Sequence, residues 1–95
     1  MVKRYRLVLT NEADRDLNNL YLEGFEKWGE AQADKYYLAL LVHFELLCEN
    51  PYLFQAIDDI RLGYRRSVCQ KHSIFYRVVN ATIEIAALVK YEDRK

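Results

Sequence analysis

The chain has 95 residues, of which 52% are hydrophobic and 29% charged, and it contains one proline and three glycines. This composition is typical of one globular domain, which we place at residues 1–95, and it leaves little material for a linker or a disordered arm. The 14 basic and 14 acidic residues cancel. A chain whose main task is to bind nucleic acid usually has a basic excess, so we expect no sequence-specific nucleic-acid binding by this chain alone.

The first predicted element is a strand over residues 3–9, because apolar side chains occupy alternate positions at Tyr5, Leu7 and Leu9. A helix is predicted to follow, since Thr10 or Asn11 can cap its first turn and the acids that come next suit the positive end of the helix dipole. Its apolar positions recur at three- and four-residue steps up to residue 28, and the glycine at 29 can end a helix.

A second helix is predicted from about Glu30 to Asn50, where it stops because Pro51 disfavours helical geometry in the residue before it. Its apolar residues recur at near-heptad spacing: Ala33, Tyr37, Leu40, Phe44 and Leu47. Two helices joined this tightly should form an antiparallel hairpin.

Beyond residue 54 the helical period gives way to alternation, which predicts strands at Tyr64–Cys69, His72–Val79 and Thr82–Lys90. The residue pairs 70–71 and 80–81 are predicted as the turns between them. We therefore expect an α+β fold in the order β-α-α-β-β-β, with the helical hairpin on one face of a four-stranded, largely antiparallel sheet. Both faces of the strand at 72–79 are substantially apolar, so this strand should be central in the sheet.

Targeting and cofactor patterns are not evident. Met1 is followed by a basic stretch and a short apolar run, without a signal-peptide core or the roughly 20 apolar residues of a membrane span, so we expect a cytoplasmic protein without membrane contact. Cys48 and Cys69 lack metal-ligand spacing, and we interpret them as reduced thiols. His72 has no second His or Cys at ligand spacing, so we predict no metal and no other cofactor, and we assign no role to His43.

The charges are segregated along the chain. Residues 11–50 contain nine acids and three bases, whereas residues 60–77 contain five bases and no acid. Such an asymmetry concerns the choice of partners rather than the fold. The basic segment coincides with the predicted strands at 64–69 and 72–79, so it predicts a cationic surface on the sheet.

Five short motifs are the most specific features of the chain. They are EADRDL at 12–17, WGEAQA at 28–33, ENP at 49–51, DIRLGYRR at 59–66 and HSIFYRV at 72–78. With these motifs the chain resembles the RelE/ParE toxin superfamily over nearly its whole length, and it is nearer the ParE branch. The resemblance implies the toxin of a type II toxin–antitoxin system, neutralised by a small cognate antitoxin of the ParD kind. It also implies that a ParE-type toxin acts on DNA gyrase and a RelE-type toxin cuts messenger RNA on the ribosome.

The chemistry of RNA cleavage separates the two branches, since it requires a base, an acid and cations near the phosphate. The resemblance implies that RelE-type nucleases carry an arginine where Ser73 stands here, and a later C-terminal tyrosine that this chain lacks. A nuclease site could still be formed by other side chains if they point into one cleft, but neighbouring arginines of one strand, such as Arg65 and Arg66, point to opposite sides. The remaining candidates for such a site are Arg65, Arg66, His72, Arg77, Lys90 and Tyr91. We therefore expect no catalytic residues, and for a chain of the ParE kind the resemblance then implies a noncovalent inhibitor of DNA gyrase.

Two alternatives stay open. One is a ribosome-dependent mRNA endoribonuclease of the RelE kind. The other is an inactive relative that acts only as a corepressor together with its antitoxin.

The predicted contact residues for the antitoxin or the target are Arg61, Tyr64, Arg65, Arg66, Arg77 and Tyr91. Eight tyrosines cannot all be buried in so small a core, and Tyr and Arg are enriched at protein interfaces. An antitoxin segment that folds on contact could lay a helix along the hairpin and add a strand to the sheet edge.

Two further residues have alternative interpretations. Arg77 lies among apolar neighbours and needs a carboxylate, which either Glu84 across the hairpin or the antitoxin could supply. Trp28 ends the apolar stripe of the first helix, so we interpret it as a core or hairpin-packing residue.

Overall fold

The computed structural model describes residues 4–90 and confirms the predicted α+β fold. The elements in chain order are β1 (Arg6–Leu9), α1 (Asn11–Trp28), α2 (Glu30–Glu49), β2 (Gln55–Ala56), β3 (Tyr64–Cys69), β4 (His72–Val79) and β5 (Thr82–Lys90). The predicted bounds of β3, β4 and β5 match the structure. Strand β2 was not predicted, because two residues are too few to show an alternating pattern.

The strands form one five-stranded sheet in the order β1-β5-β4-β3-β2, so the prediction of four strands was one too few. Strand β4 is central, as predicted. Strand β1 pairs with β5 in parallel, and the other pairs are antiparallel. The predicted turn residues Gln70 and Asn80 have positive φ values of 58° and 56°, which lets β3, β4 and β5 follow one another as tight hairpins.

Local hydrogen bonds set the ends of the helices. The Oγ1 atom of Thr10 accepts the backbone N–H of Ala13 at 3.1 Å and caps α1, and it also donates to the carbonyl of Ala86 in β5 at 3.0 Å. Gly29, with φ 91°, separates α1 from α2 and turns the chain into the predicted hairpin.

The core lies between the helical hairpin and one side of the sheet. The helices contribute Ala13, Leu17, Leu20, Leu40, Phe44 and Leu47, and the strands contribute Ile74, Tyr76, Ile83, Ile85 and Leu88. Cys48 and Cys69 are buried in this core, and burial raises the pKa of both thiols.

One predicted core residue is exposed. Trp28 has 63% of its surface accessible, because α1 ends at this residue beyond the last buried position of the stripe, Gly24. Of the two interpretations given for Trp28, the core residue was therefore wrong, and the hairpin-packing residue stays a prediction. Within residues 4–90, neither helix is long and apolar enough to cross a membrane, and no group of three His, Cys, Asp or Glu side chains could hold a metal ion.

Candidate protein-binding face of the sheet

The helices cover only one side of the sheet. Because side chains alternate along a strand, the residues between the buried positions point away from the helices. We call this side the open sheet face; its central side chains are Tyr64 and Arg66 of β3, Phe75 and Arg77 of β4, and Glu84 of β5. The face is therefore built from the neighbouring strands β3, β4 and β5, and its arginines come from the basic segment.

A row of polar side chains crosses the open sheet face. Tyr64, Arg77 and Glu84 lie directly opposite one another on β3, β4 and β5. The Nε atom of Arg77 donates to Oε1 of Glu84 at 2.6 Å, and this hydrogen bond raises the pKa of Arg77. Of the two partners considered for Arg77, the intramolecular one is present in the structure.

The ring of Tyr64 is flanked by two guanidinium groups. The Cζ atom of Arg61 lies 4.6 Å from the ring centroid, and the Cζ atom of Arg77 lies 5.7 Å from it. Each cation–π contact at an exposed site contributes about 0.5–1 kcal/mol. The tyrosine ring therefore contacts two cations, and three of the predicted contact residues form one cluster.

The loop before β3 presents two large apolar side chains beside this cluster. Ile60 is 74% exposed and Leu62 is 83% exposed. The loop is closed by backbone hydrogen bonds from Ile60 to the carbonyl of Ile57 at 2.8 Å and from Ile57 to the carbonyl of Tyr64 at 2.9 Å. The N–H of Gly63 also donates to Oδ1 of Asp58 at 2.9 Å. These bonds hold Ile60 and Leu62 in an exposed position, and neither residue was predicted as part of the site.

Further along the sheet the open face becomes apolar. Val68 of β3 and Val89 of β5 lie on either side of Ser73, and each valine is about half exposed. Arg66 extends over this region and its Nε atom donates to Oγ of Ser73 at 3.1 Å. Cationic, aromatic and aliphatic groups therefore share one surface, which is the composition of a protein interface.

A depression of about 530 Å³ adjoins the cluster. Its walls include Arg61 and Tyr64, the exposed Ile60, Phe75 of β4, and the start of α1 at Asn11. A side chain of a bound protein could enter this depression next to the two guanidinium groups.

Arg65 lies on the opposite side of β3, away from the other predicted contact residues. Its Nη1 atom donates to the carbonyl of Phe54 at 2.8 Å, and its guanidinium lies 5.0 Å from the ring centroid of Tyr52. Arg65 therefore holds the loop after α2 and does not share the open sheet face with Arg66. The predicted contact residue Tyr91 lies outside the described residues.

The candidate nuclease residues within 4–90 do not share a site. Arg65 and His72 both point to the helix side, but they are four strand positions apart from each other, since Arg65 pairs with Tyr76 while His72 pairs with Cys69. His72 Nδ1 lies 2.6 Å from the hydroxyl of Tyr36, and Nζ of Lys90 lies 3.4 Å from a carboxylate oxygen of Glu23. Both groups are thus directed towards the helices, whereas Arg66 and Arg77 lie on the open sheet face.

The second histidine is also on the helix side. Nε2 of His43 forms a hydrogen bond with Oγ of Ser67, a residue that is 1% exposed, and burial lowers the pKa of His43. The serine is enclosed between α2 and the sheet, so a substrate could not reach it. The pair links the helix to the strand.

This chain is similar in sequence to known proteins. The family model described as "ParE toxin of type II toxin-antitoxin system, parDE" matches residues 7–93. The Toxin ParE1 of Caulobacter vibrioides is 35% identical over 77 residues, which cover 81% of this chain and 78% of that protein. The Toxin ParE1 of Mycobacterium tuberculosis is 31% identical over 85 residues, covering 88% and 87%.

Solved structures have the same fold. A chain of a chromosomal ParDE toxin–antitoxin system from P. aeruginosa superposes with a TM-score of 0.80 at 19% identity, over 93% of this chain and 97% of that one. A chain of the toxin–antitoxin complex RelBE2 from Mycobacterium tuberculosis superposes with a TM-score of 0.66 at 20% identity, over 92% and 98%. At these identities the likeness concerns the fold alone.

Proposed function

This chain belongs to the ParE toxin family of type II toxin–antitoxin systems, and on that premise we propose that it inhibits DNA gyrase by noncovalent binding through the open sheet face. We propose further that a cognate antitoxin of the ParD kind neutralises the toxin by covering the same face. The observation that carries the proposal is the cluster of Tyr64 with Arg61 and Arg77, placed next to the exposed side chains of Ile60 and Leu62.

The composition of this cluster favours a protein partner. Tyrosine and arginine are the residue types that contribute most often to the binding energy of protein interfaces, and an exposed apolar patch beside them is typical of such sites. The cations of the face suit a partner with acidic side chains, which could pair with Arg61 without displacing Glu84 from Arg77. Both the target and the antitoxin would then use one surface, and the antitoxin would act by exclusion.

The mechanism requires no bond cleavage by this chain. On the open sheet face the described ionisable side chains are arginines, one tyrosine and one glutamate, and the glutamate is already bound to Arg77. General acid–base cleavage of RNA needs a proton acceptor and a proton donor on either side of the phosphate. This arrangement supports binding rather than catalysis, and it is why we propose an inhibitor rather than an endoribonuclease.

A supercoiling assay with purified protein tests the proposal. The wild-type chain is expected to inhibit supercoiling by gyrase. Replacement of either Arg61 or Tyr64 by alanine should raise the concentration needed for inhibition by about tenfold, which is typical of a central interface residue. The matched control is Arg15→Ala, which removes an exposed arginine of α1 and should leave inhibition unchanged.

Two outcomes would contradict the proposal. If supercoiling is unaffected while ribosome-bound messenger RNA is cut, the protein is an endoribonuclease. If neither occurs and expression does not slow growth, the corepressor hypothesis takes its place. For the antitoxin, the Arg61 and Tyr64 variants should weaken binding in a pull-down with the co-encoded protein, whereas the Arg15 variant should not.

A further inference from the structure

The outward side of α2 carries a second surface, distinct from the open sheet face. The positions that face the sheet are Leu40, Phe44 and Leu47, yet Leu38 is 58% exposed and Val42 is 67% exposed on the other side of the same helix. Leu41 and Leu46 are also exposed. A helix that is apolar on both sides has a second packing partner or an exposed hydrophobic patch.

The exposed residues of α2 follow a heptad pattern. Steps of four and three residues connect Ala31, Lys35, Leu38, Val42, Glu45 and Glu49, and all six are exposed. We call this set the outer α2 stripe. Its spacing is that of the seam along which two helices pack in a coiled coil.

The outer α2 stripe is complementary to itself in one orientation. When two copies of α2 run antiparallel with their two-fold axis at the level of residue 40, Leu38 of each copy faces Val42 of the other. In the same register Lys35 faces Glu45, and Ala31 faces Glu49. Each of these pairs is symmetric about residue 40, so one axis satisfies all of them, as an isologous contact requires. A parallel pair would instead place Lys35 against Lys35 and Glu45 against Glu45.

The charges around the stripe allow such a contact. Arg4 lies 3.9 Å from a carboxylate oxygen of Glu45 and 3.4 Å from one of Glu49. With Lys35, the two bases balance the two acids locally.

We propose that the outer α2 stripe is a self-association surface through which two copies of this toxin form an antiparallel homodimer. The apolar centre of the contact consists of Leu38 and Val42 from both copies, with Leu41 at its flank. Pairs of Lys35 and Glu45 close it at both ends and fix the register.

Sedimentation equilibrium of the purified chain tests this proposal. The wild-type chain is expected to show a monomer–dimer equilibrium. Both Lys35→Glu and Glu45→Lys should weaken the dimer about tenfold or more, because like charges then face each other twice. The double variant carrying both substitutions should restore the dimer, since the attractive pairs are re-formed with reversed signs.

A hydrophobic pair of variants supplies the matched control. Leu38→Gln removes a 58% exposed leucine from the stripe and should abolish the dimer, whereas Leu22→Gln removes an equally exposed leucine from α1 and should have no effect. Circular dichroism checks that each variant is folded, which is expected because the substituted side chains are exposed.

Three results would overturn the proposal. The first is a chain that stays monomeric up to its solubility limit. The second is a dimer that survives Leu38→Gln, or a dimer that is as weak in the double charge-reversal variant as in the single variants. The third is protection of residues 35–45 from hydrogen exchange only when the cognate antitoxin is added, which would make the antitoxin the occupant of the stripe. Each of these results is independent of whether the open sheet face inhibits gyrase.

Discussion

The hydroxyl group of Tyr76 connects the centre of the sheet to the loop after α2. Tyr76 is 0% exposed, its hydroxyl donates to the carbonyl of Pro51 at 2.8 Å, and burial raises its pKa to about 12. The substitution Tyr76→Phe keeps the ring and removes only the hydrogen bond. It leaves the carbonyl of the buried Pro51 without its donor, so we expect a loss of about 2 kcal/mol in the free energy of unfolding.

This loss should be measurable by thermal and urea denaturation followed by circular dichroism. For a domain of this size, about 2 kcal/mol corresponds to a fall in Tm of roughly 8–16 °C. The matched control is Tyr52→Phe, which removes the hydroxyl of an exposed tyrosine in the same loop and should change stability by less than about 0.5 kcal/mol. If Tyr76→Phe lowers Tm by less than about 3 °C, the hydrogen bond to Pro51 does not stabilise the fold as argued.

Three further predictions concern the core, the helix cap and pH. Leu40→Ala should cost about 2–5 kcal/mol in a denaturant titration, because the side chain is 0% exposed between α2 and the sheet. A loss below about 1 kcal/mol would refute that packing. Thr10→Ala should cost about 1 kcal/mol, because it removes the cap of α1 and the bond to Ala86, whereas Thr10→Ser should retain most of both. Burial lowers the pKa of His43 below its ordinary value of 6.5 in the folded chain. As pH falls, the imidazole is therefore protonated in the unfolded chain before it is protonated in the folded one. Stability should therefore decrease as pH drops below about 6.5, and His43→Gln should flatten the decrease.

The sequence predicted the bounds of a strand or helix correctly where the hydrophobic pattern and the capping or turn residues indicate the same ends. The bounds of β3, β4 and β5 follow from alternation between the two tight turns, and the start of α1 follows from its cap at Thr10. Strand β2 was not predicted because its two residues are too few to show an alternating pattern. They form a strand only because they pair with β3.

The site was predicted in part. Alternation separates the two faces of a strand but does not say which one the helices cover. The sequence therefore did not show that Arg65 lies on the helix side and donates to the carbonyl of Phe54. Ile60 and Leu62 were missed because an apolar residue in a loop is ordinarily assigned to the core. A usable signal existed, since large apolar residues surrounded by aspartates and a glycine in a short loop have little core available to them.

The exposed apolar side of α2 was also not predicted from the sequence. The near-heptad series from Ala33 to Leu47 accounts for the buried side of the helix, and the apolar residues between those positions were not assigned a face. Only the packed structure separates the two sides, because it shows Leu40 at 0% exposure and Val42 at 67%.

The parallel pairing of β1 with β5 has a consequence for how the toxin comes into being. Strand β1 pairs with β5, which begins at Thr82. This pairing cannot form until β5 has been synthesised. Such long-range closure slows folding, because the entropy of a large loop is lost before the contact forms. A nascent chain that has not yet reached β5 therefore lacks the assembled sheet.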